Sequence, residues 1–266
     1  MKPDTIAIPV AAPRDRSLVE RFVAALASGY GYGVIALWTV LGICLFPLGF
    51  CLWKGVTRWS NGRIMRHFVW VYGRIWLLLM SPFVRFRTHG LEQLRDAAPA
   101  VLVVNHQSYF DTYCMGLLPV YDIAFAVRAW PFRIPWYGWF MLLADYLNVE
   151  SSEWEATREQ GRRLVEAGSH LLFFPEGHRS RNGELGRFYG GAFRLASELG
   201  VKVVPLCITG TDQLLPPGRF SLRPSRVTLR VLPAVDPEEF SGNDAHRKLC
   251  RAVKNRIADA LQNEKG

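Results

Sequence analysis

The feature that most constrains the fold is a run of 32 residues, 22–53, that contains no charged side chain. A helix that spans a bilayer needs only about 20 apolar residues, and a helix that is apolar on every side is normally surrounded by protein or lipid. A second apolar stretch, residues 68–84, contains a single charged residue, Arg74. The pattern predicts membrane-attachment helices over residues 22–84, preceded by a polar N-terminal tail over residues 1–21.

Four basic residues and no acidic one lie between the two apolar stretches, at Lys54, Arg58, Arg63 and Arg66. Two complete spans would carry these charges across the membrane, against the tendency of basic loops to stay on the cytoplasmic side. One span, or a pair of helices that enters one leaflet, keeps them with the following domain. We therefore expect a membrane protein whose main domain lies on the cytoplasmic face. The alternative is that both helices only cap the core of that domain.

The excess of positive charge lies in the same apolar part of the chain. Residues 1–89 hold eleven basic and three acidic side chains, whereas residues 90–266 hold 21 and 20. This placement favours anionic lipid headgroups as partners, because a nucleic-acid-binding domain would carry a basic face or a recognisable module. We expect membrane lipids as partners and no nucleic acid.

The five cysteines are odd in number and scattered along the chain, at Cys44, Cys51, Cys114, Cys207 and Cys250. No C-x-x-C pair occurs, which argues against a disulfide scaffold or a zinc site and favours a reducing compartment. The histidines outside the two motifs described below show no spacing typical of metal ligands, so no metal site is predicted.

Beyond residue 84, short apolar runs alternate with longer helical patterns. The candidate strands are 84–88, 100–104, 123–127, 146–149, 170–174, 202–208 and 226–232. The candidate helices are 109–117, 135–143, 152–167, 191–199 and 243–262. Ser152 with Glu155 predicts a capping box, and Gly168 and Gly200 are predicted to follow helix ends. The alternation indicates an α/β domain over residues 85–266, with a largely parallel sheet flanked by helices.

Polar residues follow the apolar run 100–104 where the predicted strand ends. The segment 105–111 reads Asn-His-Gln-Ser-Tyr-Phe-Asp, which places His106 and Asp111 five residues apart. If a helix begins at Tyr109, the carboxylate reaches back to one imidazole nitrogen and leaves the other to accept a proton. The same residues are also compatible with an Asn helix cap, a surface His and an acidic helix start.

A second motif follows the apolar run 171–174 and reads Phe-Pro-Glu-Gly-His-Arg-Ser over residues 174–180. Together the two motifs resemble the glycerolipid acyltransferase family, the 1-acyl-glycerol-3-phosphate (PlsC-like) acyltransferases and their relatives. That family carries an N-H-x4-D block and an F-P-E-G-T-R-S block in this order. His178 stands where the family has Thr. Val-Val-Pro-Leu at 203–206, followed by Gly210, is a third shared feature, and the resemblance covers residues 90–236.

The resemblance implies an enzyme that transfers a fatty acyl group from a thioester to a hydroxyl of a lysophospholipid. The donor would be acyl-CoA or acyl carrier protein, with no further cofactor. His106 would act as general base and Asp111 would orient it. Arg128 is assigned to the oxyanion or to phosphate, and Arg179 to phosphate. The other residues expected to bind substrate are Asn105, Ser108, Glu176, Gly177 and Ser180.

One position departs from the family pattern. A block that helps to bind the acceptor phosphate ends in Arg in the family, whereas Glu150 stands at the corresponding place here. A carboxylate there would repel a phosphomonoester. Lysophosphatidic acid and another hydroxylated lipid therefore both stay open as acceptors. The non-enzyme alternative is an inactive, membrane-attached lipid-binding homologue. The sequence contains no G-x-S-x-G elbow and no phosphate-binding P-loop.

Overall fold

The computed structural model describes residues 17–151, 153–180, 184–216 and 218–264. Within these ranges the helices are α1 (Leu18–Val56), α2 (Asn61–Met80), α3 (Glu92–Arg95), α4 (Asp111–Cys114), α5 (Ala129–Phe132), α6 (Pro135–Leu143), α7 (Trp154–Glu166), α8 (Gly191–Leu199), α9 (Thr211–Leu214) and α10 (Ala245–Asn263). The strands are β1 (Val84–His89), β2 (Val101–Val104), β3 (Ile123–Val127), β4 (Leu147–Asn148), β5 (His170–Phe173), β6 (Val203–Thr209) and β7 (Ser225–Val231). Most of the tail predicted over residues 1–21 lies outside the described residues.

The strands form one sheet in the order β1-β7-β6-β2-β5-β3-β4. Neighbouring strands are parallel except β6 and β7, which are antiparallel. Val101 of β2 pairs with Leu171 of β5 on one side and with Val203 of β6 on the other. The carboxyl ends of β2, β5 and β6 therefore meet at one edge of the sheet, where the ligand sites of such sheets lie. The predicted largely parallel α/β fold is confirmed.

The central strands are buried on both faces. Every residue of β2 and β5 is buried, and successive side chains of a strand point to opposite faces. Leu102 and Val104 belong to the core under α2, whereas Val101 and Val103 belong to the core under α7, α8 and α10. Burial of each such side chain contributes about 1.5–3 kcal/mol to folding, which explains why short apolar strands are stable at the centre.

Helix α2 is built into the domain. Trp76 and Met80 are fully buried in the core below it. Arg66 is also buried, and its Nε lies 2.6 Å from Oδ1 of Asp122 while Nη2 donates to the hydroxyl of Ser169. The second of the two predicted membrane-attachment helices therefore has one face in the domain core. The assignment of residues 22–84 to membrane attachment stays a prediction.

Helix α1 lies along α2 and contacts the domain near both of its ends. Near its start, the Ser28 hydroxyl accepts a hydrogen bond of 2.9 Å from the backbone N–H of Leu222. Near its end, Trp53 stacks on His67 of α2, with ring centroids 5.2 Å apart. Among the described residues, α1 is the one helix long and apolar enough to cross a membrane, and its most apolar stretch has no buried residue.

Several local predictions need correction. The helix predicted over residues 109–117 is wrong in form: Tyr109 lies in a turn, α4 begins at Asp111, and the 3-10 turn Met115–Leu117 follows it. The strand predicted over 146–149 shortens to Leu147–Asn148. Ser152, predicted to cap α7, lies outside the described residues. Gly168 and Gly200 have positive φ at the ends of α7 and α8, as predicted for helix ends.

Candidate active site

Asn105 anchors the first motif where β2 leaves the sheet. Its side chain is buried, and its Nδ2 donates to the carbonyl of Ile208 at 2.9 Å. Its Oδ1 accepts from the backbone N–H of Ile208 at 2.8 Å. This double contact ties the exit of β2 to β6 and fixes the start of the loop. The predicted role of Asn105 in substrate binding stays a prediction.

His106 and Asp111 form the pair that their spacing predicts. Nδ1 of His106 lies 2.7 Å from Oδ2 of Asp111. The imidazole is 18% exposed, whereas the carboxylate is completely buried. A carboxylate can only accept here, so Nδ1 carries the proton and Nε2 is the acceptor nitrogen of the neutral ring. The ring of Phe174 lies 4.3 Å from the imidazole, centroid to centroid, and packs against it.

The Asp111 carboxylate is held by four donors. Besides His106, Oδ2 accepts from the backbone N–H groups of Gln107 at 2.6 Å and Ser108 at 2.8 Å. Oδ1 accepts from the hydroxyl of Thr211 at 2.5 Å. These bonds compensate the burial of the charge and allow little movement of the carboxylate. The same bonds keep residues 107–110 in a turn, which explains why α4 begins only at Asp111.

Thr211 is a member of this site that the sequence analysis missed. It is fully buried at the first position of α9, immediately after Gly210. Gly210 has φ +86, and a Cβ there would lie 1.9 Å from the carbonyl oxygen of Arg226. The glycine after β6 is a signal of a tight turn. It gives no indication that the next side chain reaches Asp111, which is 100 residues away in the chain.

Ser108 faces inward. It is fully buried, its backbone N–H donates to Asp111, and its hydroxyl accepts from the N–H of Phe110 at 3.4 Å. These contacts shape the loop that carries His106. Its predicted contact with substrate stays a prediction.

Glu176 joins the two motifs. Its Oε1 accepts from the backbone N–H of His106 at 2.7 Å, and its Oε2 accepts from the N–H of Gly186 at 2.8 Å. The carboxyl is buried, and burial raises its pKa, although the two N–H donors act in the opposite direction. The backbone N–H of Ser180 donates to the carbonyl of His106 at 2.8 Å. The second motif therefore binds both backbone groups of His106, the N–H through Glu176 and the carbonyl through Ser180.

Arg179 extends outward from the same loop. Its guanidinium carbon lies 3.4 Å from the ring centroid of Tyr109, a cation–π contact that holds its long side chain over the first motif. Gly177 has φ +67, and a Cβ there would lie 3.0 Å from the ring of Tyr189. The glycine therefore allows both the turn and the close approach of the tyrosine.

An open cavity of about 290 Å³ adjoins these residues. It is lined by Glu176, His178, Arg179, Ser180, Glu184, Gly186, Arg187 and Tyr189. Two of the lining residues, Glu176 and Ser180, also contact the backbone of His106. Two arginines, a histidine and two glutamates are among the lining residues, so the cavity is polar and carries charges of both signs. Within the described part of the chain, no group of three or more His, Cys, Asp or Glu is arranged to hold a metal ion.

Arg128 and Glu150 form an exposed ion pair. Nε of Arg128 lies 2.7 Å from Oε1 of Glu150, and Oε2 accepts from the backbone N–H of Ala129 at 2.9 Å. The Ala129 N–H and then the guanidinium lower the pKa of Glu150, which favours the charged carboxylate. Arg128, predicted to contact oxyanion or phosphate, is thus partly neutralised by the residue that departs from the family pattern. Its role toward substrate stays a prediction.

Comparisons with known proteins agree on one group of relatives. Residues 85–209 match the family model described as acyltransferase. A 1-acyl-sn-glycerol-3-phosphate acyltransferase of Chlamydomonas reinhardtii is 34% identical over 208 residues, which cover 76% of this chain and 60% of that protein. A chloroplastic enzyme of the same name from Arabidopsis thaliana is 34% identical, with 75% of this chain and 55% of that protein covered. The chain thus spans little more than half the length of these two relatives.

A relative with broader coverage comes from Saccharomyces cerevisiae. This 1-acyl-sn-glycerol-3-phosphate acyltransferase is 28% identical, and the match covers 90% of this chain and 75% of the yeast protein. Among solved structures, the 1-acyl-sn-glycerophosphate acyltransferase PlsC from Thermotoga maritima matches with a TM-score of 0.70. That match is 22% identical and covers 92% of this chain and 98% of the other, so it supports the fold.

Proposed function

We propose that the chain transfers a fatty acyl group from a thioester to a hydroxyl of a lysophospholipid such as 1-acyl-glycerol-3-phosphate, because residues 85–209 match the acyltransferase family model and the relatives described above are 1-acyl-sn-glycerol-3-phosphate acyltransferases. The observation that carries this proposal is the His106–Asp111 pair, which leaves one imidazole nitrogen for proton transfer, next to a loop whose Arg179 lines an open cavity. The reaction would serve phospholipid biosynthesis.

In this mechanism Nε2 of His106 takes the proton of the acceptor hydroxyl as the hydroxyl oxygen attacks the thioester carbonyl. The imidazolium that forms is stabilised by the Asp111 carboxylate, whose position is fixed by the N–H groups of Gln107 and Ser108 and by Thr211. Collapse of the tetrahedral intermediate breaks the carbon–sulfur bond, and the departing thiolate takes the proton from the imidazolium. No covalent acyl-enzyme is needed, because the thiol is a good leaving group.

The acceptor phosphate is assigned to the cavity beside Arg179. A guanidinium binds phosphate with two parallel hydrogen bonds, and the stacking on Tyr109 restricts its orientation before substrate arrives. Arg187 and His178 line the same cavity and add positive or hydrogen-bonding groups. The thioester donor is acyl-CoA or acyl carrier protein, a co-substrate rather than a resident cofactor.

A second acceptor class is favoured by one observation. Glu150 stands at the position where the family carries a phosphate-binding arginine, and it forms an ion pair with Arg128. An acceptor without a phosphomonoester would avoid repulsion by this carboxylate. Another hydroxylated lipid is therefore the alternative acceptor, with the same acyl-transfer chemistry at His106.

The contacts of α1 with the domain fit attachment to the cytoplasmic leaflet of the membrane better than they fit a complete span. Ser28 and Trp53 are 25 residues apart, or about 38 Å along a helix, and both ends contact the folded domain. A span would place these contacts on opposite sides of a hydrocarbon core of about 30 Å. Lys54, Arg58 and Arg63 lie at the end of α1 and the start of α2, where anionic headgroups can meet them.

The test is mass spectrometry of lipid products formed by the full chain from mixed lysolipids, with acyl-CoA and acyl carrier protein donors supplied separately. We expect a new acyl ester on 1-acyl-glycerol-3-phosphate or on one other hydroxylated lipid. The first product supports the principal proposal, and the second supports the alternative. The absence of any acylated product, with all donors and lipids present, would support the inactive lipid-binding homologue and contradict the proposed activity.

A further inference from the structure

The apolar surface of α1 continues onto two parts of the folded domain that take no part in the proposed chemistry. One is a ridge on α6, formed by Trp139 and Leu142, hereafter the α6 ridge. The other is Phe220, in the loop before β7. All three side chains are more than half exposed, at 53%, 68% and 86%. Side chains of this size and exposure, gathered beside another apolar surface, indicate an interaction site.

The α6 ridge is continuous with α1. Trp139 and Leu142 are three residues apart on one helix and therefore lie on the same side of it. The ring of Trp139 lies 6.1 Å from that of Phe46 on α1, edge to face. The neighbours of Phe46 along α1, Leu45 and Leu48, are exposed as well. The ridge thus widens the apolar outer surface of α1 near its C-terminal half.

Phe220 is held against the other half of α1. Its carbonyl accepts a hydrogen bond of 2.8 Å from the hydroxyl of Tyr32, and Ser28 bonds to the backbone of Leu222 in the same loop. The loop backbone is therefore fixed while the ring points away from the core. Arg219 is exposed one residue before Phe220. An apolar ring beside a guanidinium is suited to the boundary between acyl chains and lipid phosphates.

The spacing of the two contacts along α1 indicates a surface rather than a single pocket. Tyr32 and Phe46 are 14 residues apart, or about 21 Å along the helix. A flat apolar environment of that width, with phosphates at its edge, is a lipid leaflet. Trp139 suits the same boundary, because indole rings are enriched where apolar and polar parts of a membrane meet.

We propose that the catalytic domain itself enters the leaflet at two points, the α6 ridge and Phe220, one near each half of α1. The occupant of this surface is a bilayer that contains anionic lipid. The proposal rests on the proposed attachment through α1 and adds that the domain is fixed against the membrane instead of being tethered by α1 alone. Contacts of the domain near both halves of α1 would restrict the tilt of the domain and hence the direction in which the His106 edge faces the lipid.

The experiment measures the depth of single fluorescent labels in vesicles of phosphatidylcholine and phosphatidylglycerol. Nitrobenzoxadiazole is attached to one cysteine at a time in the full chain with Cys44→Ser, Cys51→Ser and Cys250→Ser. Cys114 and Cys207 are buried and stay unlabelled in the folded protein. The test variants are Leu142→Cys and Phe220→Cys, and the matched control is Gln262→Cys on α10, across the sheet from α1. A further sample retains the native, exposed Cys44 to report on α1.

We expect lipids with nitroxide groups on their acyl chains to quench the labels at positions 44, 142 and 220 but not at position 262. Quenching at 44 without quenching at 142 and 220 would overturn the two-point contact and leave attachment by α1 intact. Quenching at only one of the two would also overturn it. If the label at 44 is not quenched, attachment through α1 fails and this inference fails with it, whatever the acyl-transfer assay gives.

A kinetic comparison uses Phe220→Asp and the charge-matched control Gln262→Asp. We expect Phe220→Asp to lower turnover of acceptor in vesicles several-fold, with unchanged turnover of a short-chain acceptor dissolved in water. Gln262→Asp should change neither rate. Equal turnover of the vesicle acceptor by the two variants would contradict a role for Phe220 at the membrane.

Discussion

The loops that follow β2 and β5 lie side by side and use their side chains in different ways. In residues 105–111, the base loop, Asn105, Ser108 and Asp111 bond inward and hold His106 in one position. In residues 174–180, the cation loop, Glu176 bonds inward to the backbone of His106 while Arg179 lies outward over Tyr109. Proton transfer requires a fixed geometry, whereas recognition of a mobile anionic group tolerates a longer side chain. This difference supports the proposed roles, which are proton transfer in the base loop and acceptor recognition in the cation loop.

His106→Ala should have the largest effect and tests the first half of this contrast. It removes the proposed general base, so we expect kcat to fall by about 10²–10⁴-fold, with far smaller changes in the KM values. The measurement is steady-state acyl transfer by protein whose circular dichroism matches the unsubstituted chain. His89→Ala removes an exposed histidine, the last residue of β1, and serves as the control. A defect confined to acceptor KM would remove the distinction between the two loops.

Asp111→Asn should come next. The side-chain amide that replaces the carboxylate turns an N–H group toward groups that are themselves donors, those of Gln107, Ser108 or Thr211. The neutral amide also no longer stabilises an imidazolium. We expect kcat to fall by about 10²-fold. A buried donor without an acceptor should also cost about 1–3 kcal/mol of unfolding free energy, measured by urea titration. Unchanged kcat in the folded variant would show that orientation of His106 does not depend on this charge.

Arg179→Ala tests the cation loop. Hydrogen bonds to charged groups contribute about 1.5–3 kcal/mol, so we expect acceptor KM to rise at least about tenfold, while donor KM changes little. Arg179→Lys should restore part of the loss, and Arg95→Ala, which removes an exposed arginine on α3, serves as the control. The measurement varies each substrate in turn. A defect in donor KM alone would mean that Arg179 faces the phosphates of the carrier.

Thr211→Val should have the smallest effect and sharpens the description of the base loop. Valine keeps the shape of threonine but removes the hydrogen bond to Oδ1 of Asp111. We expect kcat to fall several-fold, because the carboxylate that orients His106 loses one of its four hydrogen-bond donors and is held less firmly. Thr211→Ser retains a hydroxyl and should restore kcat. An unchanged kcat in Thr211→Val would limit this residue to a packing role.

Sequence patterns predicted the parts of this molecule that depend on residues close together in the chain. β2 and β5 were recognisable because a buried parallel strand is a short continuous apolar run, and both motifs begin where these runs end. His106 and Asp111 were recognisable because five residues of one loop separate them. The antiparallel pairing of β7 with β6 was not predicted, since periodicity does not report strand direction.

Other features depend on partners distant in the chain. Thr211 reaches Asp111 through the packing of β6 beside β2, and Glu176 bonds to the backbone of His106, which lies 70 residues earlier in the chain. The break in the helix predicted over 109–117 has the same origin, because the carboxylate of Asp111 takes the N–H groups of the preceding turn. The buried Arg66–Asp122 pair likewise brings α2 into the core, although its sequence suggests a membrane helix.

The most direct test of His106 as the proposed base is the turnover of the folded His106→Ala protein as imidazole is added. Free imidazole can accept the acceptor's proton where the missing ring stood, so the account predicts a very low rate that rises with imidazole concentration. Arg179→Ala, which retains its base, should show no such rise. Near-normal turnover of His106→Ala without imidazole would contradict the assignment of His106 as the general base.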